Sequence, residues 1–191
     1  GVDLAATATN TSDYQAIVVL GVDAENNRYV LEYFRERIPT FDVPDEIIKL
    51  CKQYAPIRRA TIETVAAQEM VRDMLSRMAV SDRRLMPGLF KGVKPVGRIK
   101  KEDRLETALG PIVNNKRLYI RRSMTDLVDE FFEHPMSRHD DVMDALYYAD
   151  YYAKAPRSGR FSASELSDEE LWKKNQAKKS AVFNWITGAR I

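Results

Sequence analysis

The sequence predicts an α/β fold: a mixed five-stranded sheet flanked by helices, with an added β-hairpin. Three short runs rich in Val, Ile, Leu and aromatics follow one another near the start, separated by polar turns. Beyond them the apolar spacing becomes helical, returns to a strand, and becomes helical again. Strands joined by short turns pair antiparallel, whereas a strand reached through a helix pairs in parallel, so the sheet is mixed.

In chain order, Val2–Ala8, Gln15–Leu20 and Tyr29–Phe34 are the first three strands, broken by "ATNTSD" and "DAENN". "DVPDEIIKLCKQYA" is a helix started at Asp42 or Pro44, with Ile47, Leu50, Cys51 and Tyr54 on one face. "IRRATIET" is the fourth strand. "VAAQEMVRDMLSRMAV" is an amphipathic helix whose Met70, Met74 and Met78 line up as core. "KPVGRI" is the fifth strand, followed by a helix from Lys101 to Leu109. Asn114-Asn115 in "PIVNNKRLYI" sits between two apolar runs as a hairpin tip. "SMTDLVDEFFEHP" is a helix stopped by Pro135, and "DDVMDALYYADYYAKA" is another. Residues 156–167 are rich in Pro, Gly and Ser and read as a linker. Ser167 and Glu170 form a capping box for a last helix, Asp168–Phe183. Residues 1–155 are thus the expected domain, and 156–191 a linker and tail carrying Trp172, Phe183, Trp185 and Ile186.

With 191 residues and 45% hydrophobic content, one substantial core is expected. The single cysteine, Cys51, excludes an internal disulfide and suits a reducing compartment. No apolar run approaches a membrane span. The abrupt start at Gly1 suggests a domain excised from a longer protein. No phosphate-loop signature is present, which argues against ATP hydrolysis by that route. The net charge of +2 hides a contrast. Arg83 to Arg122 holds 12 Lys/Arg against 3 Asp/Glu, net +9, leaving −7 elsewhere. A basic region on an acidic body suits a polyanionic partner.

Several carboxylates fall where packing does not ask for them. Asp3 interrupts the first strand, and Glu63 ends the fourth. Asp140, Asp141 and Asp144 start a late helix, within one arc of about 100° beside its buried stripe. The helix dipole accounts for Asp140 and Asp141, but less well for Asp144 a turn further in. Carboxylates gathered at one point repel and need a cation. Without Cys or paired His, the ion is Mg²⁺ or Mn²⁺ rather than Zn²⁺. Such a site beside a basic region is equipped for phosphodiester chemistry.

The segments "GVDLA" with "SDYQAIVVLG", "ATIETVAAQ", "KPVGRI…RLETALGPIVNNKRLYI" and "FFEHPMSRHDDVMDALYYA" together resemble the ribonuclease H-like nuclease superfamily. More closely, they resemble the C-terminal nuclease domain of bacteriophage large terminase subunits. The resemblance spans roughly residues 1 to 153. It implies an endonuclease that cuts concatemeric viral DNA during packaging by a two-metal-ion hydrolysis, with the ions about 4 Å apart. Asp3 matches the family's first-strand acid and Glu63 its second. Asp141 and Asp144 match the acidic pair opening the late helix, with Asp140 a lesser candidate. Asp13 matches the start of strand two, and His139 reads as a loop residue. Arg83, Arg84, Lys91, Lys94, Arg98, Lys100, Lys101, Lys116 and Arg117 are the expected phosphate contacts. The implied partners are double-stranded DNA, an N-terminal ATPase motor on the parent chain, the portal protein and the small terminase subunit, all in the host cytoplasm. The tail is either docked on the domain or an arm for a packaging partner. A Holliday-junction resolvase or transposase-like nuclease, and an inactive DNA- or protein-binding relative, are the alternatives.

Overall fold

The computed structural model describes residues 1–5, 14–63, 67–82, 85, 88–94, 100–156 and 182–183. A sheet ordered β5-β4-β1-β2-β3-β6-β7 runs through the molecule. Its strands are β1 Val2–Asp3, β2 Gln15–Val22, β3 Arg28–Glu36, β4 Ala60–Glu63, β5 Phe90–Val93, β6 Leu118–Arg121 and β7 Val182–Phe183. β1, β2 and β3 pair antiparallel, while β4 and β5 run parallel to β1, and β6 parallel to β3. The mixed sheet therefore follows from the expected connections.

Helices cover both faces. α1 Val43–Gln53 and α2 Ala67–Ser81 lie on one side. There Ile47, Leu50, Cys51, Val71 and Leu75 pack with Val2, Ile17, Val19 and Ile62. α3 Lys101–Asn114, α4 Thr125–Glu133 and α5 Asp141–Asp150 lie on the other. Leu105, Leu109, Leu127, Val142 and Leu146 meet Ala16, Val18, Val30 and Val93 there. The alternation of strand side chains divides these two cores. α5 crosses β1 closely: a Cβ on Gly1 would overlap the backbone of Ala145 and Ala149.

One irregularity fixes which side chains face α5. Val19 pairs with Glu32 but Leu20 with Val30, so Leu31 is skipped as a β-bulge. Leu31 and Phe34 join the α1 side, while Val30 and Tyr33 belong to the α5 side.

Two expectations change, and a third falls almost wholly outside the described residues. The described fifth strand is β5, Phe90–Val93; of the expected strand "KPVGRI" only Lys94 is described, just after β5, and 95–99 lie outside the described residues. No hairpin forms at Asn114-Asn115. The buried stripe Leu105, Leu109, Val113 carries α3 through Gly110 and Pro111 to Asn114. Lys116 then adopts a left-handed φ of 57°. The Arg117 N–H donates to the Ile112 carbonyl at 2.9 Å, and Lys116 N–H to Val113. This is a helix-closing turn, and it sends β6 parallel to β3. Finally, of the tail only Val182 and Phe183 are described, and they pair antiparallel with Arg121 and Ile120 as a strand instead of ending a helix. Asp13 and the rest of 6–13 lie outside the described residues, as do Trp172, Trp185 and Ile186.

Candidate active site

Asp3 pairs with Ala16, and Ala16 with Arg35. On the other side Val2 pairs with Ile62, which puts Glu63 beside Asp3, and Glu63 pairs with Val93. Val93, Glu63, Asp3, Ala16 and Arg35 thus form one row across five strands, all directed to the α5 face. Two acids and one arginine share that row, separated by the small side chain of Ala16.

The first turn of α5 sits over this row and divides its own acids between the two ends. Asp144, 3% exposed, belongs with Asp3 and Glu63. Asp141, also buried, turns to the arginine: its Oδ2 lies 3.7 Å from Arg35 Nη2 and 3.7 Å from His139 Nδ1. Asp140 shares a partner with Asp144, the ammonium of Lys101, 2.7 Å from Asp140 Oδ1 and in direct contact with Asp144 Oδ2. The expected convergence of all three helix acids is therefore corrected. Residues four apart lie about 40° from each other around a helix, so Asp140 and Asp144 align, while Asp141 lies about 100° from Asp140.

Electrostatics follow the geometry. Burial, then the negative fields of Asp144 and Glu63, hold Asp3 well above the ordinary carboxylate range, with Lys101 pulling the other way. Burial also raises Asp144, against the opposing charge of Lys101. Burial pushes the Tyr148 hydroxyl far up, and Glu63 beside it adds to the effect. Among the described residues, no three Asp, Glu, His or Cys side chains already surround one ion position. The donor chemistry still fits a hard divalent cation: buried carboxylate oxygens pressed together, with an ammonium drawn in between them.

Four supporting residues escape a reading of the sequence. Arg104, one turn after Lys101 on α3, reaches Asp144 at 3.3 Å and lies over Tyr147. Its i+3 spacing from Lys101 was a usable signal. Glu130 of α4, 4% exposed, accepts the Val142 and Met143 N–H groups at 3.4 and 2.8 Å and so caps α5. Burial outweighs those bonds and pushes its carboxyl up to about 8. Arg35 joins Glu130 and Asp126 at 3.7 and 3.5 Å. Tyr14 lies under both Arg35 and Arg37, with His139 edge-on to its ring.

The expected phosphate contacts separate into groups. Lys94 directly follows the row residue Val93, and Lys100 precedes Lys101; both are exposed beside the acids. Lys91 is exposed on β5 opposite Thr61. Lys101 contacts acids. Lys116 and Arg117 follow the far end of α3, about 20 Å from Lys101 along its 14 residues. Arg117 there donates to the Glu25 carbonyl. Arg83, Arg84 and Arg98 lie outside the described residues.

Among the described residues, no helix is long and apolar enough to cross a membrane. No curated protein matches the sequence. The family described as the terminase RNaseH-like domain matches residues 1–151, the stretch that carries the sheet, the row of acids and α5. The chain belongs to the terminase ribonuclease H-like domain family, the nuclease-type domain of terminases.

Proposed function

We propose that this domain is a metal-dependent endodeoxyribonuclease that cuts concatemeric viral DNA during genome packaging. The observation that carries this reading is that Asp3, Glu63 and Asp144, two half-buried strand acids and one buried helix acid, stand within one another's electrostatic fields. Stability alone does not favour such an arrangement, since each charge is desolvated beside like charges.

Asp3, Glu63 and Asp144 are the proposed ligands for Mg²⁺ or Mn²⁺, with Asp140 beside them and Asp141 in a supporting role toward Arg35. Bound divalent ions supply an activated water and stabilise the leaving 3′ oxygen. Arg104 holds Asp144 from behind, and Glu130 fixes the helix start that carries it. Lys94 and Lys100, with Lys91 further along β5, engage phosphates and position the duplex without reading its sequence. Lys116 and Arg117 are left out of this set. We extend the proposal to a wider setting that membership of a terminase family supports: an ATPase motor on the parent chain, with portal and small terminase subunit as partners in the host cytoplasm. We also propose residues 1–155 as the working domain and 156–191 as its linker and tail.

The test is supercoiled plasmid incubated with the protein in EDTA, Mg²⁺ or Mn²⁺. Nicked and linear products that need the metal and vanish in Asp3→Asn and Asp144→Asn are expected. Plasmid bound but uncut by the unaltered protein in both metals would instead indicate a DNA-binding relative, and cutting confined to branched DNA a resolvase.

A further inference from the structure

Lys101 is the first residue of α3, and its ammonium is placed between Asp140 and Asp144 within the field of Asp3. The neighbouring cation, Arg104, is 14% exposed and stacked on Tyr147, so packing fixes it. Lys101 is different. Its side chain is 40% exposed, its four-carbon stem is flexible, and exposed Lys100 stands next to it. An ammonium has three donors and one charge. It can neutralise two carboxylates in part, and it must leave when an ion of higher charge takes the same oxygens.

We propose that Lys101 is a tethered counter-ion that competes with the divalent metal for Asp140 and Asp144 and passes to a phosphate of bound DNA. This rests on the nuclease reading above. With the ammonium among the acids, metal affinity is held down. When a strand phosphate beside Lys100 draws Lys101 away, the acids are released to the ion. Metal and DNA then strengthen each other by the same factor, as linkage requires. The metal site would thus be completed by substrate, and an idle domain would carry little bound metal.

The experiment is a calorimetric titration of Mn²⁺ into the domain without DNA, repeated with a short duplex and finished before cutting is detectable on a gel. Lys101→Gln is expected to bind Mn²⁺ about tenfold more tightly than the unaltered protein without DNA. Lys101→Arg, which keeps the charge, is expected to stay weak, and this protects the test if Lys101→Gln folds poorly. The duplex should raise affinity more in the unaltered protein than in Lys101→Gln. Equal or weaker Mn²⁺ binding by a folded Lys101→Gln overturns the counter-ion role while leaving the site intact. Equal enhancement by DNA in both proteins overturns the transfer to phosphate. Absence of Mn²⁺ binding in every variant, or binding left unchanged in Asp144→Asn, would instead overturn the metal site itself.

Discussion

At the β2–β3 turn, Asp23 accepts the Asn27 backbone N–H at 2.8 Å, the Asn27 side-chain amide at 2.9 Å and the Tyr29 hydroxyl at 3.0 Å. Nearby, Asp150 accepts from Arg28 Nε at 2.8 Å, with both side chains largely buried. Beside the other end of β2, where Ala16 pairs with Asp3 of β1, Asp3 stands in the field of Glu63 and Asp144. One end gives each carboxylate its donors, and the other presses carboxylates together. Partial burial pushes Asp23 up, but its combined hydrogen bonds outweigh this and leave it below its ordinary value, while Asp3 is driven above. Asp23 and Asp150 each have their own donors, whereas Asp3 stands in the field of two other acids, of which Asp144 is met by Lys101 and Arg104. For Asp23 and Asp3 the opposite directions follow from surroundings: donors lower Asp23, while burial and like charges raise Asp3.

The largest expected effect tests the strained end. Asp3→Asn should lower cleavage by more than about a hundredfold, since it removes a proposed ligand and not merely its support. In EDTA the same variant should be more stable than the unaltered protein near neutral pH. The sign follows from the raised pKa: the folded state holds the Asp3 proton more tightly, so the stability gained from it is complete at acid pH and lost as pH rises. The two melting curves should converge below about pH 4. A metal-free Asp3→Asn that melts earlier than the unaltered protein at neutral pH would break the comparison.

At the satisfied end, Asp150→Ala should cost about 3–5 kcal/mol in urea unfolding, because Arg28 is left buried without its partner. Asp23→Ala should cost about 1–3 kcal/mol by leaving the Asn27 N–H without its acceptor. Here the sign reverses. The depressed pKa gives stability that is present above the ordinary carboxylate value and lost as pH falls through the folded one, so this deficit should shrink below about pH 4. A deficit that grows with acidity would show that Asp23 is not held ionised.

The smallest effects concern DNA. Lys94→Ala with Lys100→Ala should make duplex binding less sensitive to salt, the slope falling by about one for each phosphate no longer held. Lys116→Ala with Arg117→Ala, at the other end of α3, should change affinity less than about twofold, within the range of distant surface charges. Equal weakening by both pairs in fluorescence anisotropy would mean that the duplex spans the whole sheet.

The comparison also explains what could be read in advance. Asp3 and Glu63 stood out because a charge in an apolar strand violates a local rule, visible within a few residues. The strands, most helices and their order were legible for the same reason: hydrophobic period is a local signal. The hairpin at Asn114-Asn115 failed because the turn chemistry suits a helix end as well, and the buried stripe through Val113 decided between them. Asp141 was misdirected because its neighbour Arg35 is more than a hundred residues away, and only strand register brings them together. Lys101 looked like one more surface base, since nothing near it in the chain reveals the acids it meets.

The skipped residue Leu31 carries a consequence for how the gene can change. With Leu31 and Glu32 both turned toward α1, the strand returns to a phase that points Tyr33 and Arg35 at α5. Loss of the codon for residue 31 would leave that phase intact, giving a regular strand with every later residue on its present side. Loss of the codon for Phe34 would turn Arg35 to the opposite side and take it from Asp141 and Glu130, although the composition of the strand would scarcely change. In β3, then, one residue can be lost from the Leu31–Glu32 pair without reversing the strand, at the cost of what that side chain packs against, and a single loss beyond the pair reverses everything after it.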